Sequence, residues 1–363
     1  MTHFKSAIGV ALATTALTLA SVTALPAQGF DIVAFAPPEG KGPNKDKGGD
    51  GGGDPPPPPP STTYYDWMDS DVQGVWDTGA IGVGATVTVV DDYSSGDIFE
   101  GNLDGAGVIL QHHGDWTSDQ VRLLAPGANV VERDWTSNGP VKMGSGFNVL
   151  NLSYGMIAND GLNVDNLLWS KREQTIIDAA TSGSAFVAKS SGNDWGAAVG
   201  TAVNGTRDYL NEALIGAASA VFVGALRNNG DANALASIAS YSTIAGSNET
   251  VQAQFLVVGV EGGETTADEL ANYGADCGAA AGHCLYGTSF AAPVVAGYAA
   301  LLGGKFGTED PLQIKTRLLT TTDRDTLVDL GATGWGAEDF ATYGQGEANV
   351  LRAMSVNSPL TAN

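Results

Sequence analysis

Four residue types that can together open an acyl bond stand at separate points of this chain, each beside small or turn-forming neighbours. The first is the serine of Gly287-Thr288-Ser289-Phe290-Ala291-Ala292-Pro293, a string that runs straight into the apolar residues 294–302. Small residues before an apolar run put Ser289 at the start of a buried helix. There the helix dipole and the free backbone N–H groups favour developing negative charge. Gly287 leaves room for backbone to approach a substrate, and Pro293 falls in the first helical turn, where its missing N–H is not needed. Read by itself, such a serine is more often an N-cap. Its company gives it chemistry. His112-His113-Gly114 offers a general base, and Asp91-Asp92 a carboxylate that could orient it. Ser190-Ser191-Gly192-Asn193 adds a side-chain amide able to donate to an oxyanion. Alone, the acid and the amide are turn residues.

These groups must meet, and the elements between them say how. Residues 86–90, 129–131, 147–152, 185–188 and 220–226 read as strands. Helical patterns fall at 116–124 and 163–182, the latter closed by Gly183. Pro311 opens another helix, with Leu312, Ile314, Leu318 and Leu319 as its apolar positions. Near-continuous apolar strands alternating with helices predict an α/β fold, a parallel β-sheet flanked by helices on both faces. Sites in such sheets gather at the carboxyl ends of the strands. Asp91 and Asn193 each follow a strand.

The chain has 363 residues, of which 43% are hydrophobic, enough for a sizeable core. A net charge of −23 argues against nucleic acid and against anionic membrane surfaces as partners. Residues 1–27 read as a signal peptide, with Lys5 in a short n-region, an apolar stretch over 7–24, and small residues for cleavage at Ala24 or Ala27. The stretch is short and weakly apolar for an uncleaved anchor, and no later one suits a stable membrane span. The expected location is exported, extracellular or periplasmic. Residues 28–63 read as a disordered linker rich in Gly, Pro and Asp, including six consecutive prolines, Pro55 to Pro60. A globular domain is expected over 64–354 and a tail over 355–363. In an oxidising compartment Cys277 and Cys284 would close a short loop just before Gly287, worth about 2.5 kcal/mol as a disulfide. A metal site suits them less, with only His283 nearby.

The order Asp, His, Asn, Ser, each on its own loop, resembles the subtilisin-like serine peptidases. Thr86-Val87-Thr88-Val89-Val90-Asp91 is similar to the strand into that family's acid, His113-Gly114 to its base motif, and Ser191-Gly192-Asn193 to its oxyanion loop. Phe147-Asn148-Val149-Leu150-Asn151-Leu152-Ser153-Tyr154-Gly155 resembles the segment lining the substrate cleft, and Tyr343-Gly344-Gln345-Gly346-Glu347-Ala348-Asn349-Val350 the closing segment. The resemblance spans nearly the whole globular domain. It implies a secreted serine endopeptidase working through an acyl-enzyme, with Ser289 as nucleophile, His113 as base and Asp91 orienting the imidazole. His112 is the alternative base; His113 is favoured because Gly114 follows it directly. Asn193 and the backbone N–H of Ser289 would hold the oxyanion, while Ser153, Tyr154, Gly155, Ser191 and Gly192 would bind substrate. It further implies polypeptide substrates, a monomer and no cofactor for the chemistry. Calcium is common in the family as a structural ion, but no ligand loop is legible here.

Several positions depart from the family pattern. Asp92-Tyr93 replaces a small hydroxyl residue and glycine, and Asp115-Trp116 replaces small residues after the base, which would crowd one side of it. Phe290 stands where methionine is frequent. Residues 28–62 are too short and polar for the folded inhibitory propeptide that the family often carries. Two other readings share the scaffold: an acid serine-carboxyl peptidase, which Asn193 and His113 disfavour, and a catalytically inactive binding module.

Overall fold

The computed structural model describes residues 31–34, 61–65, 67–96, 98–101, 103, 109–194, 196–231, 233–260, 287–307, 310–328, 330 and 334–356. The expected signal peptide, most of the expected linker, and Cys277 with Cys284 lie outside these residues.

Six strands form the central parallel sheet, in the order β11-β10-β8-β6-β2-β5. They are β2 (Ala85–Asp91), β5 (Asn129–Asp134), β6 (Phe147–Leu152), β8 (Phe186–Ser190), β10 (Ala220–Leu226) and β11 (Phe255–Gly259). Every residue of β2, β6, β8, β10 and β11 is buried, which is why the apolar runs show no alternation: both faces are covered. One face carries α1 (Asp71–Asp77), α2 (His113–Leu124), α6 (Ala292–Lys305), α7 (Pro311–Thr320) and α9 (Val350–Ser355), packed on Val87, Val89, Val149, Phe186, Val221 and Val223. The other carries α3 (Lys171–Ser182) and α4 (Tyr209–Leu214), packed on Leu150, Leu152, Val187 and Phe222. The short helices α5 (Glu249–Gln252) and α8 (Ala337–Tyr343) adjoin β11. A fully apolar helix belongs in such a core, and α6 runs beneath β6, β8 and β2 with Ala292 to Gly303 buried.

Two small antiparallel sheets flank this layer. β3 (Ile98–Gly101) pairs with β4 (Ile109–His112), and β7 (Tyr154–Asn159) lies between β1 (Asp31–Ala34) and β9 (Thr206–Asp208). β1 falls inside the stretch expected as linker. Its Ile32 and Val33 precede the Pro/Gly-rich part, and β-branched residues accept an added-strand position. The helix expected over 163–182 is two elements. Asn163 caps a single turn at Val164–Asn166, and the Ser170 hydroxyl then accepts from Arg172 and Glu173 N–H to start α3. Gly183 closes α3 in the left-handed region, as its position suggested.

Candidate active site

β2 delivers Asp91 to its carboxyl end, fully buried, and the first residue of α2 is His113, also buried. Asp91 Oδ1 lies 2.5 Å from His113 Nδ1 and accepts the Asp92 backbone N–H at 2.7 Å. Its other oxygen accepts the Thr117 hydroxyl at 3.0 Å. A buried carboxylate is tolerable only with such donors. Because the carboxylate accepts, Nδ1 carries the proton and Nε2 is the basic nitrogen. Among the described residues Nε2 is buried with no hydrogen-bond partner.

The serine arrives from the opposite end of the chain. Gly287 has φ +145°, a region L side chains rarely adopt, and this bends the backbone into a tight turn over Thr288–Phe290 before α6 begins. Ser289 thus sits just ahead of a helix, fully buried. Gln120 of α2 donates to the Phe290 carbonyl at 3.0 Å. The Phe290 ring lies 5.4 Å from the His113 ring, with Trp116 edge-on at 6.0 Å. The helix bearing the imidazole and the turn bearing the serine are therefore latched together. On the other side, the Ser289 hydroxyl donates to the Ser153 carbonyl at 3.3 Å, and the Ser153 hydroxyl donates to the Ser289 carbonyl at 2.7 Å.

β8 ends at Ser190 and its loop brings Asn193 to the same turn. Asn193 Oδ1 accepts the Thr288 N–H at 2.9 Å and the Thr288 hydroxyl at 3.2 Å, and the Gly192 N–H donates to that hydroxyl at 3.0 Å. With its carbonyl end turned to Thr288, the amide presents its NH₂ end away from it. Ser191 fastens the loop through its hydroxyl on the Thr243 carbonyl at 2.9 Å. Beneath the loop, Lys189 is fully buried and its Nζ lies 3.3 Å from Asp208 Oδ2, while burial pulls its pKa down. Asp208 Oδ1 accepts the Met156 N–H of β7 at 2.9 Å, so one ion pair ties the Asn193 loop to the strand that follows Ser153. Tyr154 is buried, its hydroxyl donating to Glu173 Oε1 at 3.2 Å, and burial raises its pKa well above the usual value. At Ser153-Tyr154-Gly155 it is the backbone edge that an incoming strand can use.

The structure brings Asp91, His113, Asn193, Ser153 and Ser289 together and sets His112 apart. His112 Nδ1 lies 3.1 Å from Asp115 Oδ2, in a cap at the start of α2. Gly114 leaves its space to the protein itself: a Cβ there would fall 2.6 Å from the Asp92 carbonyl and 2.7 Å from the Tyr93 ring. Trp116 turns into the core with its ring edge-on to Phe290, and Asp115 spends its carboxylate on the cap. The motif reading did not single out Thr117, Gln120 or Thr288. Thr117, one helical turn beyond His113 and so on its face, carried the one usable signal.

A carboxylate holding one nitrogen of a buried imidazole, beside a serine at a helix start, is an arrangement suited to acyl transfer. Residues 81–336 match the model of the Subtilase family. The chain belongs to that family and is a serine-type peptidase, a hydrolase whose chemistry needs no cofactor. No curated protein matches it. Among solved structures it is similar to the prenylagaramide maturation protease PagA, at 16% identity over 79% of this chain and 98% of that one, with a TM-score of 0.46. It is also similar to MycP1 from Mycobacterium smegmatis, at 15% identity over 83% and 88% of the two chains, with a TM-score of 0.48. A cold-adapted subtilisin-like serine proteinase is similar at 18% identity over 74% and 88%, with a TM-score of 0.42.

Proposed function

We propose that this peptidase is an exported endopeptidase that cuts polypeptides through an acyl-enzyme, with Asp91, His113 and Ser289 as its triad. The observation that carries the reading is the 2.5 Å contact of Asp91 with His113 on a helix latched by Gln120 to the Ser289 turn. Ser289 Oγ attacks the scissile carbonyl as its proton passes to His113 Nε2. Asp91 keeps the imidazole in the right tautomer and stabilises its charged form. The Asn193 amide and the Ser289 N–H receive the oxyanion. As the tetrahedral species collapses, the imidazolium gives its proton to the leaving amine. Water then enters by the same route in reverse and frees the acyl product. Ser153 to Gly155, with Ser191 and Gly192, line the extended substrate. Export rests on the signal-like residues 1–27, and among the described residues no helix is long and apolar enough to cross a membrane. Cys277 and Cys284 are proposed as the disulfide stiffening the approach to Gly287. We further take the working unit to be a monomer.

A fluorophosphonate probe tests the reading directly. It should label Ser289 in the wild type and fail on folded Ser289→Ala, whose turnover should fall by about six orders of magnitude, as in a subtilisin stripped of its nucleophile. Ser289→Ala retaining a tenth of wild-type activity would overturn the mechanism. So would a kcat/KM optimum below pH 5, because the base must be unprotonated to act.

A further inference from the structure

The Asn193 amide is held through hydrogen bonds that begin on another element. Asn211 stands in the first turn of α4, buried, with its backbone N–H on the Asp208 carboxylate that caps the helix. Its side-chain Nδ2 donates to the Ser191 carbonyl at 2.9 Å. In a trans peptide the N–H points opposite to the C=O, so the Gly192 N–H of the same unit faces the other way, where it donates to the Thr288 hydroxyl at 3.0 Å. A hydroxyl has one proton to give, and Thr288 gives it to Asn193 Oδ1 at 3.2 Å, beside its backbone N–H at 2.9 Å. Hydrogen bonds in series therefore run from Asn211, through one peptide unit and Thr288, to the oxyanion amide. The carbonyls on either side are also engaged: Ser190 accepts Lys189 Nζ at 2.7 Å and Gly192 accepts the Thr243 N–H at 2.9 Å.

We infer that Asn211 is a positioning residue for oxyanion stabilisation: it fixes the Ser191–Gly192 peptide in the orientation that sets the Asn193 amide through Thr288. The inference rests on the peptidase reading of the site. Oxyanion donors work by being aimed before the charge develops. A Ser191–Gly192 peptide free to turn over would lose its N–H on Thr288 and leave the Asn193 amide loosely aimed. Support of the helix does not ask for this amide, because Asp208 already caps α4. Its Oδ1 is buried and has no hydrogen-bond partner among the described residues, a cost that an apolar side chain of the same shape avoids. Removing an oxyanion donor outright costs about 10²–10³ in turnover, and releasing its support costs a share of that, about tenfold. The oxyanion forms only on the way to the transition state, so the loss falls on kcat and leaves KM within about twofold.

The test uses the full chain with Asn211→Leu, which keeps the branching of the side chain without its donor, and Asn211→Ala as a second variant. With folding checked by circular dichroism, each should lower kcat on one peptide substrate about tenfold and leave KM within about twofold. The readout that separates positioning from general loosening is the combination with Asn193→Ala. Once the oxyanion amide is gone its support has nothing to aim, so Asn211→Leu should then cost less than about twofold more. A kcat equal to the wild type overturns the inference. So does a tenfold loss that persists in the Asn193→Ala background, and so does loss of the fold in both variants, which would make the amide structural. A wild type that neither turns over peptide nor takes the fluorophosphonate sinks the peptidase reading itself, and the inference with it. An active wild type with unimpaired Asn211 variants sinks the inference alone.

Discussion

Stability should rise as pH falls from 8 to 5, and Glu347→Gln should remove much of that dependence. Glu347 lies buried in the closing segment with Oε1 accepting the Gly230 N–H at 2.9 Å. Burial, with Asp69 and Asp323 nearby, pushes its pKa up from 4.5 to about 7. Burial likewise pushes Asp69 up to about 6, with Asp71 and Asp323 adding to it. The folded state therefore prefers the protonated carboxyl. That contribution is fully present below the ordinary pKa of 4.5 and is lost as pH climbs through about 7. Ionising Glu347 in the folded protein costs about 3 kcal/mol, and Asp69 adds a smaller amount because the two repel each other. Glutamine copies the protonated form. Urea unfolding in the inactive Ser289→Ala background avoids self-digestion and should find the Glu347→Gln variant more stable than its parent at pH 8. The gap between them should shrink by about 2 kcal/mol at pH 5. The large net negative charge tilts both proteins in the same direction and cancels in the comparison. A gap that does not change with pH, or a variant weaker than its parent at pH 8, would refute the argument.

Other expectations concern the active site and its support. Asn193→Ala should cut kcat by about 10²–10³ with little change in KM, read from steady-state kinetics. Thr117→Val removes one donor from the buried Asp91 carboxylate and should lower kcat/KM by about tenfold or more, with Thr117→Ser restoring most of it. Lys189→Met strands Asp208 in a buried position and should lower unfolding free energy by about 3–5 kcal/mol, while Lys189→Met combined with Asp208→Asn should cost clearly less.

The parallel sheet was legible because β2, β6, β8 and β10 are buried on both faces, and that burial leaves uninterrupted apolar strings in the sequence. β11 has the same composition but was not read, since Phe255 to Gly259 follows α5 with scarcely a turn between them. Of the site, residues within local motifs were readable: Asp91 at a strand end, Ser289 before a helix, Asn193 in its loop. Partners set by tertiary approach were not. Thr288 is an ordinary small residue in sequence, yet it receives Gly192 and orients Asn193 from the far end of the chain. The need for Gly114 is set the same way: its close neighbour is Tyr93, which only folding brings there. β1 was hidden by the Gly/Pro-rich run that follows it.

The serine hydroxyl rests on Ser153 while His113 Nε2 waits without a partner among the described residues. Under the proposed mechanism, reaction would start with the Ser289 hydroxyl turning its proton from a backbone oxygen towards the imidazole. The effect of that turn is a matter of populations. A 3.3 Å bond is at the weak end for a hydroxyl, where the net gain is no more than about 1 kcal/mol. Weighed against that bond alone, a reactive rotamer would be held by about one molecule in six or more, a cost of less than tenfold in rate. A peptide strand whose N–H takes over the Ser153 carbonyl would erase even that cost. The substrate would then arm the nucleophile by the same contact that aligns its backbone.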